Sequence, residues 1–124
     1  MADEVDSAFV QRFLVAWDEH DVDGILDMMT DDIVFESSFG PEECGKRFSG
    51  KVEARQAIER VYATFPQTRF EDPVWGVVGD RGFAEWTMSH FDKSGKRVAV
   101  RGCDLFVFKD GKVSRKDSYR KNRI

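Results

Sequence analysis

The chain has 124 residues, a length that supports one hydrophobic core and one domain rather than two. Hydrophobic residues make up 41% and aromatics 13%, including eleven Phe and three Trp, which excludes a disordered chain. No apolar run approaches the roughly 18 residues that span a bilayer, and a formal net charge of −4 argues against nucleic acid as the main partner.

The N-terminal Met1-Ala2-Asp3-Glu4 is acidic and is not followed by an apolar stretch, so no signal peptide is expected. The two cysteines, Cys44 and Cys103, form no CxxC pair, and free thiols in a reducing, cytoplasmic setting are expected. His20 and His90 stand alone in the sequence, which speaks against a structural zinc site. Seven Lys and Arg lie between Lys109 and Arg123, read as a solvated strand and tail.

Helical apolar spacing opens the chain. Phe9, Val10, Phe13, Leu14 and Trp17 form one stripe of a helix over about 6–19, with Asp6 or Ser7 able to cap it. A short helix over about 22–29 follows, capped by Asp21. Residues 33–38 read as a strand and 39–50, with Gly40, Pro41, Gly45 and Gly50, as a loop. A third helix over about 52–64 ends before Pro66.

From Phe70 onward the pattern alternates. Strands are expected over 69–78, 83–91, 97–108 and 112–120, joined by turns at 79–82, 92–96 and 110–111. Short turns make antiparallel neighbours, so helices first and a meander afterwards give an α+β fold.

The last hairpin carries the most chemistry. With Asp110-Gly111 as a two-residue type I′ turn, Asp104 faces Asp117, and Arg115 lies diagonal to Asp104. Two carboxyls at that spacing share a proton or a cation, and a carboxyl held near neutrality suits general acid–base work. The plain alternative is a pair of aspartates at solvent. A bulge in the hairpin would shift the register by one and send Asp117 to the other face. Trp86, Met88 and His90 share one face of the preceding strand. Whether that face joins Asp104 depends on how the loop over 92–96 closes, which spacing leaves open.

The order of elements resembles the nuclear transport factor two-like superfamily, and within it the SnoaL-like group. The features that carry the resemblance are Phe13 and Trp17 on the front helix, Asp31-Asp32-Ile33-Val34-Phe35, and the helix after Gly50. To these are added Ala84-Glu85-Trp86-Thr87, Gly102-Cys103-Asp104-Leu105-Phe106, and Asp110-Gly111-Lys112-Val113 leading to Tyr119. The resemblance implies a cone-shaped pocket between helices and a curved antiparallel sheet, without metal or cofactor, and a homodimer through the outer sheet face. It also implies a catalytic His and Asp on adjacent strands, matched here by His90 and Asp104.

The reading that follows is a small apolar, carbonyl-bearing or polycyclic ligand and cofactor-independent acid–base chemistry of a cyclase, isomerase or dehydratase. Asp104 would be the acid or base, His90 its partner and Asp117 the modulator. Trp17, Glu36, Trp86, Phe106, Arg115 and Tyr119 would contact the ligand. The alternative is a non-catalytic binding or protein-association domain on the same scaffold, since this fold hosts both. The sequence departs from the ketosteroid isomerases of this fold, which use a Tyr on the first helix. It also departs from the epoxide hydrolases, in which an Arg stands two residues before an Asp; here Arg101 is three before Asp104.

Overall fold

The computed structural model describes residues 4–124. Helix α1 (Ser7–Asp18) starts where the Asp6 carboxylate accepts the Phe9 amide at 2.8 Å, satisfying one of the donors a helix N-terminus leaves free. It buries Val10, Phe13, Leu14, Ala16 and Trp17, the stripe its spacing predicts. Helix α2 (Val22–Asp27) is capped by Asp21. Helix α3 (Gly50–Thr64) buries Ala54, Ala57 and Ile58, and stops before Pro66 with Phe65 already in a non-helical conformation.

Six strands form one sheet: β1 (Met29–Glu36), β2 (Arg47–Ser49), β3 (Arg69–Val78), β4 (Arg81–Phe91), β5 (Arg97–Lys109) and β6 (Lys112–Arg120). Their order is β2-β1-β6-β5-β4-β3. Strands β3 to β6 make the expected antiparallel meander. The sheet as a whole is mixed, because β1 runs parallel to β6, placing Phe35 beside Lys116 and Glu36 beside Asp117. Strand β2, which falls in the stretch read as loop, pairs antiparallel with β1 and brings Arg47 opposite Glu36.

The β5–β6 register decides which side chains share a face. The turn is as expected: Asp110 and Gly111 both have positive φ, 53° and 75°, the signature of a type I′ turn. Phe108 therefore pairs with Val113. One step later the ladder shifts, and Val107 pairs with Arg115, leaving Ser114 as an extra residue whose hydroxyl donates to the Val107 carbonyl. Beyond this bulge every β6 side chain changes sides. Asp104 faces Ser118, and Asp117 faces Leu105 on the outer face, so the expected Asp104–Asp117 pair does not form. Arg115 and Tyr119 go to the outer face with Asp117, while Lys116, Ser118 and Arg120 turn toward the helices.

The β4–β5 loop closes so that Trp86, Met88 and His90 do share the inner face with Asp104. However, Asp104 is paired with Ala84, six residues from His90 along β4, which is about 20 Å. His90 instead packs its ring against Phe65, with centroids 4.5 Å apart. The His90–Asp104 pair is thus refused by distance along the strand, not by face.

Candidate functional site: an aromatic cavity with a buried lysine

The inner face of the sheet, α1, α3 and the 37–46 loop enclose a cavity of about 400 Å³. Its wall is largely aromatic: Trp17, Phe35, Phe48, Phe65, Phe70 and Trp86 all line it. Trp17 and Trp86 are more than nine-tenths buried, so each is both core and cavity wall. Phe106, expected at the ligand, is packed behind the wall edge-to-face with Phe13, centroids 5.8 Å apart.

At this wall lies a side chain that the bulge turns inward, Lys116. Lys116 is almost wholly buried, with Nζ 4.3 Å from the centroid of the Trp17 ring and 4.6 Å from that of Phe35. An ammonium in such a place needs a counter-charge as well as aromatic faces. Asp104 supplies it: its Oδ1 is 3.2 Å from Lys116 Nζ. The same oxygen accepts the Ser118 hydroxyl at 2.6 Å, and Ser118 in turn accepts Lys116 Nζ at 2.8 Å. The other Asp104 oxygen accepts the Trp86 indole N–H at 2.9 Å.

Asp104 is therefore a satisfied carboxylate behind the wall rather than a free base at it. Its position is set by Gly102, where a Cβ would sit 2.5 Å from the Trp86 ring. The bare strand there lets the indole lie flat and reach Asp104, so the space beside Gly102 is filled, not open. Lys116 carries three N–H donors; one is bonded to the Ser118 hydroxyl, and Asp104 neutralises the charge as an ion-pair partner. No other protein oxygen is bonded to its ammonium among the described residues, and the residue lines the cavity.

Glu36, expected to reach the pocket, points the other way. Its side chain is fully buried on the outer side of β1 between two guanidinium groups. Arg47 donates to one oxygen at 2.7 and 3.0 Å, and Arg115 to the other at 2.6 and 3.1 Å. Burial pushes this carboxyl up, but the Arg47 and Arg115 hydrogen bonds outweigh it and hold it below the usual glutamate value of 4.5. Asp117 accepts the Tyr119 hydroxyl at 3.0 Å on the same face. These groups clamp β2, β1 and β6 together and take no part in the cavity.

Three of the expected site residues thus meet at the cavity: Trp17, Trp86 and, behind them, Asp104. Lys116, Ser118 and Arg120 are the residues the sequence reading missed there. Nothing local marks them, since all three follow a bulge with no sequence signature.

A helix-backed curved sheet enclosing an aromatic cavity defines an α+β domain of the nuclear transport factor two-like class. The chain belongs to the SnoaL-like domain family, whose model matches residues 10–116. Among solved structures, a candidate polyketide cyclase from Pseudomonas putida is 20% identical, with a TM-score of 0.81 over 94% of this chain and 92% of that one. A nuclear transport factor two-like protein of unknown function from Mesorhizobium loti is 27% identical, with a TM-score of 0.75 over 94% and 90%. TerC, co-crystallised with polyporic acid, is 18% identical, with a TM-score of 0.75 over 92% and 89%. No curated protein sequence matches significantly.

Proposed function

We propose that this chain is a single small-molecule-binding domain whose cavity takes a largely apolar, carbonyl-bearing compound, with Lys116 donating to the carbonyl oxygen. One observation carries the reading. Lys116 sits in the aromatic wall of the cavity, hydrogen-bonded to Ser118 and ion-paired with Asp104, with no further protein oxygen bonded to its ammonium among the described residues. A pre-oriented donor in a low-dielectric cavity binds an oxygen far better than the same group in water. Two neighbours of this fold, one described as a candidate polyketide cyclase and one co-crystallised with polyporic acid, support the same reading.

The catalytic form of this reading is cofactor-independent cyclase, isomerase or dehydratase chemistry. It is favoured by the same lysine, because an ammonium at the carbonyl stabilises the negative charge that develops on oxygen as the neighbouring carbon loses its proton, with solvent as the proton acceptor because no carboxylate lines the cavity among the described residues. Asp104 then acts as the positioning residue for Lys116 rather than as the free acid or base, both its oxygens being engaged.

Titration with methyl naphthyl ketone, followed by the fluorescence of Trp17 and Trp86, tests the binding. We expect saturable quenching, weakened about tenfold in the Lys116→Met, Asp104→Asn double variant, which removes the donor without leaving a buried charge behind. Unchanged affinity in that variant would remove Lys116 from the site.

We also place a homodimer on the outer sheet face. Phe83, Leu105, Tyr119, Val74 and Val78 are exposed there, and among the described residues no helix covers them. Leu105→Asp is expected to convert a dimer to a monomer in sedimentation; a native chain that sediments as a monomer at micromolar concentration contradicts the assignment. The free thiols of Cys44 and Cys103 suit a reducing, cytoplasmic setting.

A further inference from the structure

The chain carries 23 Asp and Glu and a net charge of −4, yet no carboxylate lines the cavity among the described residues. Every charged side chain on its wall is a cation: Lys46, Arg60, Lys116 and Arg120. Lys116 is already balanced by Asp104. The other three have no carboxylate within 4.0 Å among the described residues. Elsewhere Arg47, Arg55, Arg69, Arg81, Arg97 and Arg115 are paired with carboxylates, and the arginines outside the cavity without such a partner among the described residues, Arg12, Arg101 and Arg123, are exposed to solvent.

Arg120 is the informative one. It is half-buried, and its partners are soft: one N–H meets the Met88 sulfur at 3.1 Å, and the guanidinium lies 5.8 Å from the centroid of the Phe39 ring. Burial pulls its affinity for the proton below the ordinary arginine value, with no anion to restore it. A partly desolvated guanidinium without a carboxylate is costly unless an anion completes it. Lys46 and Arg60 are exposed and stand at the rim, where they draw an anion in rather than hold it. Among the buried polar side-chain atoms of the wall, the Trp17 indole N–H is a donor without an acceptor among the described residues.

We propose that the ligand is an apolar compound carrying an anionic oxygen group, a carboxylate or an ionised enol or phenol, and that Arg120 is the residue that binds it. This rests on the small-molecule reading of the cavity and specifies its ligand class. Arg120 is four residues beyond Lys116 on the same face of β6, about 13 Å along the strand. The ligand therefore presents its neutral oxygen to Lys116 and its anionic group toward the mouth.

The test compares naphthoate with methyl naphthoate by tryptophan fluorescence, on the native chain and on Arg120→Gln and Arg120→Lys. The native chain is expected to bind naphthoate at least about tenfold tighter than its ester, from one charge-assisted pair. Arg120→Gln removes most of that preference, and Arg120→Lys keeps part of it. Raising the ionic strength weakens naphthoate and leaves the ester unaffected. Equal affinity of the native chain for acid and ester overturns the anionic ligand while leaving the cavity reading intact. A preference that survives Arg120→Gln overturns the role of Arg120. Failure of both naphthalenes and of methyl naphthyl ketone to bind rejects the small-molecule reading and this inference together.

Discussion

Lys116→Met is expected to destabilise the fold by about 3–5 kcal/mol, the usual cost of stranding one member of a buried ion pair. Asp104 is 3% exposed, and with Lys116 gone its carboxylate keeps only the Ser118 hydroxyl and the Trp86 indole. Asp104→Asn costs less, because the Trp17 and Phe35 rings continue to hold the ammonium from 4.3 and 4.6 Å. The double variant recovers most of the loss, since a methionine against an amide leaves no unpaired charge and a thioether suits an aromatic wall. Urea unfolding of the four proteins measures this as a double-mutant cycle. Additive losses would mean that Lys116 and Asp104 do not act as a pair, and the positioning role of Asp104 would fall with it.

The outer clamp responds to pH. Glu36 is fully buried with both oxygens bonded to guanidiniums, so Glu36→Gln is expected to cost about 2–4 kcal/mol at neutral pH, discounted because Arg47 and Arg115 are half exposed and can turn to water. The folded pKa lies below the ordinary value of 4.5, so folding favours the ionised form. Its contribution is complete above the unfolded value and is lost as pH falls through the lower folded one. The gap in stability between native chain and variant should therefore be widest at neutral pH and narrow steadily below about pH 4.5. Chemical denaturation at several pH values measures the gap; a gap that is constant or grows in acid would show that Glu36 is not held ionised by the two arginines.

The elements that were readable in the sequence are those with an apolar phase. Helix α1 carries a stripe from Phe9 to Trp17, so burial fixes it in only one way, and β4 sets Ala84, Trp86 and Met88 on one face, although spacing left open whether that face joins Asp104. Strand β6 has no such phase. From Lys112 to Arg120 its only aliphatic residue is Val113, which precedes the bulge. Nothing after Ser114 says which side is inner, and a one-residue shift moves every side chain across the sheet at no visible cost in the pattern. That is why Asp117, Arg115 and Tyr119 were expected in the cavity while Lys116, Ser118 and Arg120 were not. Asp104 was readable because it sits on β5 between Gly102 and Phe106, ahead of the bulge. What it binds was not, since its partner lies beyond the bulge. Glu36 illustrates a different limit: its two arginines come from β2 and β6, and no local rule brings them to one carboxylate.

The central claim is that the aromatic cavity holds a small molecule whose oxygen meets Lys116. A crystal structure of the chain with methyl naphthyl ketone tests this most directly. The ketone is expected within the cavity, with its ring against Trp17 and Trp86 and its carbonyl oxygen at hydrogen-bond distance, about 2.7–3.2 Å, from Lys116 Nζ. A ketone bound only on the outer sheet face, or one seated in the cavity with its oxygen turned away from Lys116, would contradict it.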